Sequence, residues 1–514
     1  MSVPNLSELT AKSVAQGIHD ETISLLFPLD TKSSNAIVRE LLKLDGNNFK
    51  KLEVFKNQLS VTEFDFPSGA IDAEAVRSLS SFNLVSLDFR ELTQFEDDYD
   101  DYSCGDGTLD IVNLLIQSTN DHSRRSMIYL GLSTEQELCA GWETEVSKLL
   151  PNLQSIDISY KTFDERFQFS NFCSCFPNLL VLDISGAFGL SSLQGIEHLK
   201  NVQKLTMRDL KFDDVNGYEE LSELKNLKYL DVSNTNDITD MSEERDWLET
   251  NSIRGMLAAG VRMEALEFLD CSWTSVTGHE VETFAKNHPS LKTVAAICTA
   301  CNHTTISGVK MLNIASMPLL SECLEYTLLN DRFDLTLGFI PEVFQKLKTS
   351  RESLANAELR HITNAVLFVL REAFFEGLKF LTLLYYLESG LFEHELSISM
   401  FSTDIPDMIE LFYNVFGRYD STICKKRAAG FIFQILETTV NSVRPGILIP
   451  DRVLSFVFDK TVDLVDRFPE HRTQGTRIIH QALVWMTWEQ ILTMSFNFEL
   501  VMKVMVFLNS PFVF

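Results

Sequence analysis

The chain has 514 residues, 45% of them hydrophobic and 23% charged, with Lys+Arg 44 against Asp+Glu 72 and a net charge of −28. This composition is globular and excludes global disorder, and the length calls for two to four domains or one elongated array. So acidic a surface opposes phosphate backbones and anionic lipid alike; neither nucleic acid nor membrane is expected as a partner, and proteins are.

The first twenty residues carry Glu8, Lys12 and Asp20 and lack the apolar core of a signal peptide. Asn5 followed by Glu8 reads as a capping box with an amide in place of the hydroxyl. Leu6, Thr10, Val14 and Ile18 then recur every four residues, which puts them along one stripe of a helix. Such a stripe either seals the end of the first repeat or docks into a partner's groove.

From Val61 onward a short pattern recurs: apolar, two others, apolar, one other, apolar. It appears as Val61/Phe64/Phe66, Leu84/Leu87/Phe89, Met127/Leu130/Leu132, Leu153/Ile156/Ile158 and Leu179/Leu182/Ile184. It continues as Val202/Leu205/Met207, Leu227/Leu230/Val232, Leu266/Leu269/Cys271 and Leu291/Val294/Ala296. Most steps fall inside the period of about 20–29 residues that marks leucine-rich repeats, and the two long ones read as insertions. Each motif predicts a short strand whose apolar face cannot be buried alone, so neighbours must stack. Helical spacing at 72–79 and 278–287 supplies returning segments, and Pro151, Pro177 and Pro289 stop them before the next strand. The first insertion contains the acidic run 96–101, read as a solvated loop because it lacks the oxygen spacing of a calcium loop.

Between the last two apolar residues of the motif stand Asp65, Asp88, Asp157, Asp183, Asp231 and Asp270. This position points away from the core, so Asp157, Asp183, Asp231 and Asp270 are candidate protein contacts on a concave face. The same residues also read as ordinary fillers of the repeat, as with Asp157 followed by Ser159.

After residue 305 the apolar period becomes helical, over 362–387, 408–416, 427–438, 453–467 and 476–492. Pro406, Pro445, Pro450 and Pro469 punctuate these stretches. The repeat of amphipathic openings at Arg427 and Thr476 approximates an armadillo/HEAT period. The stretch 373–392, the best candidate for a span, carries Glu376, Lys379 and Glu388, and so falls short of the roughly 18 uncharged apolar residues a membrane helix needs. The fold class expected is an α/β leucine-rich-repeat solenoid followed by an all-α armadillo/HEAT-like solenoid. The domains expected are 1–50, an N-terminal helical segment, 51–305, the leucine-rich repeats, and 306–514, the helical repeats. Because the sequence stops at Phe514 inside an apolar run, the helical array is expected to be incomplete.

Chemistry is sparse. No phosphate loop, dinucleotide fingerprint, nucleophile elbow or zincin helix is present. Cys298-Thr-Ala-Cys301-Asn-His303 falls one ligand short of a structural zinc site and reads as buried or capping thiols. The nine cysteines are scattered and read as thiols of a reducing compartment. His480 lacks a visible catalytic partner, and Trp485 and Trp488 read as core. The chain is therefore expected to be no enzyme, to need no cofactor or metal, and to be soluble in cytoplasm or nucleus.

Leu6-x3-Thr10-x3-Val14 resembles the VHL box, the elongin C-binding helix of cullin adaptors. Phe27-Pro28 with Ile37, Leu41 and Leu42 resembles the cullin box. The order of box, leucine-rich repeats and armadillo-like helices resembles the Zyg eleven-related family across essentially the whole chain. Local echoes are Leu227-Lys-Tyr-Leu230-Asp-Val-Ser233 and Asp466-Arg-Phe-Pro-Glu-His471. The resemblance implies a substrate receptor of a cullin-2 RING ubiquitin ligase. It implies Leu6, Thr10 and Val14 as elongin C contacts (with elongin B as its companion) and Pro28, Ile37 and Leu41 as cullin contacts. The solenoids would receive protein substrates, which for some members carry N-terminal glycine degrons. The alternative is a non-catalytic scaffold or regulatory subunit without a ubiquitin role.

Overall fold

The structure, a computed structural model, describes residues 6–330 apart from 67–68, 72, 90–91, 96–107, 134–136, 164–166, 213, 236–250 and 316. Beyond 330 it describes 332, 335, eight positions between 425 and 437, and 457–485 without 458–459 and 466. The chain divides into two compact units, one of 2–235 with 244–313, the other mainly 314–514.

In the first unit the described strands are three or four residues long. They are β1 (Glu63–Asp65), β2 (Gly69–Ile71), β3 (Ser86–Asp88), β4 (Leu92–Phe95), β5 (Tyr129–Gly131) and β6 (Ser155–Asp157). After them come β7 (Val181–Asp183), β8 (Lys204–Thr206), β9 (Tyr229–Asp231), β10 (Phe268–Asp270), β11 (Thr293–Ala295) and β12 (Lys310–Leu312). Ten of these form one sheet in the order β1-β3-β5-β6-β7-β8-β9-β10-β11-β12, parallel throughout, and β2 pairs with β4 beside it. Sequential parallel pairing of short strands with a return segment between them is the leucine-rich-repeat solenoid.

The register explains why the motif recurs. Phe64, Leu87, Leu130, Ile156, Leu182, Leu205, Leu230, Leu269, Val294 and Met311 face one another across the strands in a single row. All ten are buried. A second row two positions on, from Phe66 through Ile158 and Met207 to Ala296, is buried beside it. Each large member contributes about 1.5–3 kcal/mol by leaving water. No single repeat retains that gain, because its row is covered only by its neighbours.

Return segments close each layer. Helices Ile111–Ser118, Trp142–Leu149, Phe169–Cys175, Ser252–Ala258 and Gly278–Asn287 alternate with tighter 3₁₀ turns at Ile196–His198 and Val215–Glu223. The helix Gly278–Asn287 begins with a full capping box: the Glu280 N–H donates to Thr277 Oγ1, and the Thr277 N–H donates to Glu280 Oε2 at 2.9 Å.

β12 lies beyond the expected boundary at 305. The step from Thr293 to Lys310 is shorter than the period of about 20–29 residues, because the chain returns through a turn at Gly308 instead of a helix.

The N-terminal segment forms α1 (Leu6–His19), α2 (Thr31–Leu44) and α3 (Phe49–Val54). Asp30 caps α2 by accepting the Ser33 N–H at 3.0 Å, a bond that holds its carboxyl below the usual range. The inward side of α2 carries Ile37, Val38, Leu41 and Leu42, continuous with the solenoid core.

In the second unit the structure describes helices Met317–Leu329 and Arg472–Trp485, the latter entered through a turn at Pro469–His471. The expected helices at 362–387 and 408–416 lie outside the described residues, as does the acidic run 96–101. Among the described residues no helix is long and apolar enough to cross a membrane.

Candidate protein-interaction surfaces

The N-terminal helices are bolted to the first repeat by polar bonds. Asn35 of α2 spans to Thr62, just ahead of β1: its Nδ2 donates to Thr62 Oγ1 at 3.0 Å, and its Oδ1 accepts the Thr62 N–H at 3.0 Å. Ser34 Oγ accepts the Ser60 N–H at 2.9 Å. α1 is tied to the next turns by Lys51, whose ammonium donates to the His19 carbonyl at 2.7 Å. Helices and solenoid thus share hydrogen bonds as well as a core.

The predicted stripe of α1 divides. Ala11, Ala15 and Ile18 turn inward and are buried, Val14 is half-buried, and Thr10 is exposed. Leu6 opens the helix, and its side chain lies outside the described residues. The small residues Ala11 and Ala15 bring α1 close to the core, so the sealing face lies beside the predicted stripe and shares only its far end.

The expected cullin contacts require correction. Ile37 and Leu41 are buried, because α2 uses that side to cover the first repeat. Pro28 is exposed, and beside it Leu26 and Phe27 are 79% and 75% exposed, on the loop joining α1 to α2. Two adjacent large apolar side chains in water are an unfavourable arrangement for an isolated chain, and such patches mark contact surfaces. Sequence reasoning missed Leu26. The available signal was an apolar pair in a segment lacking the periodicity that would bury it.

The aspartate ladder also requires correction. Asp157, Asp231 and Asp270 are buried, and Asp183 is half-buried. Each carboxylate accepts the N–H of the serine two residues on: Ser159 at 2.9 Å, Ser185 at 2.9 Å, Ser233 at 3.0 Å and Ser272 at 2.8 Å. The serine hydroxyls of two of these turns then accept from the following repeat, Ser185 from the Arg208 N–H and Ser272 from the Ile297 N–H, each at 3.1 Å. The ladder is a device for turning the chain after each strand and linking the layers. Its legible signal was Asp-x-Ser, which stands at four of the six ladder aspartates.

One consequence is electrostatic. Loss of solvent, followed by the neighbouring Asp157 charge, pushes the Asp183 carboxyl up to about 6, against hydrogen bonds from Ser185 and the Arg208 charge. Asp231 avoids an unpaired state because Arg208 Nε donates to it at 2.7 Å.

What the sheet presents to a partner is therefore the row preceding the aspartates. Across β5 to β12 this row is Tyr129, Ser155, Val181, Lys204, Tyr229, Phe268, Thr293 and Lys310. It lies on the side opposite the core by the two-residue period of a strand. Within it, Tyr229 and Phe268 stack with centroids 4.6 Å apart and planes 2° from parallel.

The cysteine cluster resolves into ordinary parts. Cys298 sits in a left-handed turn at φ 57°, Cys301 is buried against the Val276 carbonyl, and His303 is exposed. Contrary to the expectation of thiols throughout, Cys139 is disulfide-bonded. Linear spacing hides this, since only folding decides which cysteines meet. A cleft lined by Glu137, Trp142, Phe163 and Phe167 contains Lys161, whose ammonium is pushed down to about 7 by burial against the opposing Glu137 charge.

No family model matches the chain. Over 315 residues it is 28% identical to Gastrulation-defective protein 3 of Caenorhabditis elegans, a stretch taking in 61% of this chain and 43% of that protein. The chain thus spans less than half the length of that curated relative. Among solved structures it is similar to a chain of the yeast Rad7 and Elc1 complex, with TM-score 0.32 and 13% identity over 61% of this chain and 88% of that one. It is also similar to a leucine-rich-repeat protein of Leptospira interrogans, with TM-score 0.27 and 14% identity over 56% and 71%. Likenesses of that size carry no argument, and the repeat assignment stands on the sheet and its register.

Proposed function

We propose that this chain is a member of the Zyg eleven-related family and the non-catalytic substrate adaptor of a cullin-2–elongin RING ubiquitin ligase, a reading supported by its likeness to Gastrulation-defective protein 3. On this reading the N-terminal helices hold elongin C, with elongin B, and cullin-2, the leucine-rich repeats and a following armadillo-like array over 306–514 receive the client, and ubiquitin transfer is performed by the other subunits.

The observation that carries the reading is the exposed pair Leu26 and Phe27, held between two helices that are themselves fixed to the solenoid. An adaptor must present an apolar contact at a set distance from its client surface, and a helix pair hydrogen-bonded to the first repeat meets that need. Thr10 and Pro28 stay on the proposal as exposed contacts, with Val14 at the helix edge. Ile37 and Leu41 leave it as direct contacts and become supports.

A second reading is favoured by the inward face of α1. Ala11, Ala15 and Ile18 are buried as α1 packs on α2, which in turn covers the first repeat, and that is all that a plain scaffold without a ubiquitin role would require. Co-expression with elongin B, elongin C and cullin-2 separates the two. The adaptor reading expects a stable complex that Leu26→Asp with Phe27→Asp abolishes while the melting temperature holds. Absence of any complex with the unaltered chain sinks that reading and leaves the scaffold.

A further inference from the structure

Helix Gly278–Asn287 is held at its two ends by different chemistry. At its start Glu280 accepts from Arg254 Nε at 2.7 Å and from Asn251 Nδ2 at 3.1 Å, both at the head of the preceding repeat's helix. That carboxyl is held at about 2, so the joint persists at any pH where histidine titrates. At the other end His288 is the C-cap, buried, and its carbonyl accepts the Leu291 N–H at 3.0 Å as the chain turns into β11.

The His288 ring lies flat on Phe284, with centroids 3.9 Å apart and planes 18° from parallel. Its Nδ1 is 2.7 Å from the Phe284 carbonyl, which can only accept, so Nδ1 carries the proton and Nε2 the lone pair. Nε2 is buried and has no hydrogen-bond partner among the described residues. A second proton there puts a cation into the core without a carboxylate to meet it.

Loss of solvent dominates and holds the imidazole below its usual 6.5. The bond to the Phe284 carbonyl raises it, and the charge of Arg262, in the turn before β10, lowers it again. A histidine at an exposed helix end is favoured as a cation by the helix dipole, and burial reverses that preference here. Among the described residues the other charges of the surrounding segments are engaged or face water. Lys286 is paired with Glu282 at 2.9 Å and Lys292 with Glu267 at 2.8 Å, Glu264 is exposed, and residues 304–309 of the following turn carry no ionisable side chain.

We propose that His288 is a proton-sensitive latch: on acidification it releases the far end of helix Gly278–Asn287 and the entry to β11, while Glu280 keeps the near end fixed. The neutral ring stacks and caps, whereas the charged ring is stable only in water, so proton uptake and opening are coupled. Because the folded chain resists the proton, the closed latch is fully favoured above the usual 6.5, and its advantage is lost as pH falls below that. Asp183 responds in the opposite sense, since the same acidification removes its buried charge. The latch does not depend on the adaptor reading.

The test is amide hydrogen exchange of the full chain at pH 7.5 and 5.5, with times scaled for the intrinsic exchange rate. Opening of the amides of 284–291 is expected to rise by about tenfold at the lower pH, the ratio that one proton confers a unit below 6.5. Amides of β5 are expected to hold. His288→Asn cannot titrate but keeps a donor for the Phe284 carbonyl, as Asn330 Nδ2 donates to the Tyr326 carbonyl at 2.8 Å after helix Met317–Leu329. In this variant the rise is expected to fall below about twofold. No rise at 284–291, an equal rise in β5, or the parent's rise in a variant of unchanged circular dichroism overturns the proposal. If the variant does not fold as the parent does, the regional pattern of the parent decides: a rise confined to 284–291 supports the latch, and any other pattern overturns it.

Discussion

The carboxylate of Asp231 is wholly buried and held from two sides, by Arg208 Nε at 2.7 Å and by the Ser233 N–H at 3.0 Å. Arg208 comes from the turn of one repeat and Asp231 from the strand of the next, so the ion pair is also a bond between layers. Removing the arginine takes from a buried carboxylate the cation bonded to it at 2.7 Å. Arg208→Ala is expected to destabilise the solenoid by about 2–4 kcal/mol, measured by urea unfolding, with Asp231→Asn in the same chain recovering part of the loss. A cost near zero shows that the pair is solvent-screened.

Asp183 responds to pH in the opposite sense from an ordinary structural acid. Its folded pKa of about 6 stands above the usual 3.8, so the folded chain favours the protonated form. The charged form therefore costs stability that begins as pH rises through about 4 and is complete above about 6. Asp183→Asn keeps an acceptor for the Ser185 N–H and is expected to raise stability by about 1–2 kcal/mol at pH 7.5, with no gain below pH 4. Thermal melts of both proteins across that range check it; a pH-independent difference contradicts the assignment.

Glu280 behaves conversely. Burial pushes its carboxyl up, but bonds from the Thr277 N–H and hydroxyl, Arg254 and Asn251 together outweigh it and hold it at about 2. A depressed folded pKa contributes stability that is present above the usual 4.5 and lost as pH falls through about 2. Glu280→Gln is expected to lower the melting temperature at pH 7, and the gap between the two proteins is expected to close between pH 4.5 and 2.

Asn35 is the joint between the helices and the repeats. Asn35→Ala leaves the Thr62 N–H without its acceptor at a partly buried position, at a cost of about 1–3 kcal/mol. The expected signature is local: faster amide exchange over α1, α2 and β1, with β9 to β11 unchanged. Uniform acceleration along the sheet indicates a global effect and refutes the joint.

The strand motifs were legible in the sequence because a strand buried on one face repeats its apolar residues at fixed offsets, and stacking forces Leu87, Ile156 and Leu230 into one row. All nine motifs mark strands of the sheet. The side chains available for contact were not legible. Asp231 and Leu230 are neighbours in a strand, and alternation alone sends one inward and the other out. Only the turn that follows, with Ser233 and Arg208 closing on the carboxylate, decides that the outward residue is buried as well. Ile37 and Leu41 were likewise apolar at helical spacing, a pattern that serves a core or a partner equally; the docking of α2 through Asn35 assigned them to the core and left Leu26 and Phe27 in water. Periodicity is a property of the chain and survives in one dimension, whereas exposure depends on what packs alongside, and only the tertiary structure supplies that.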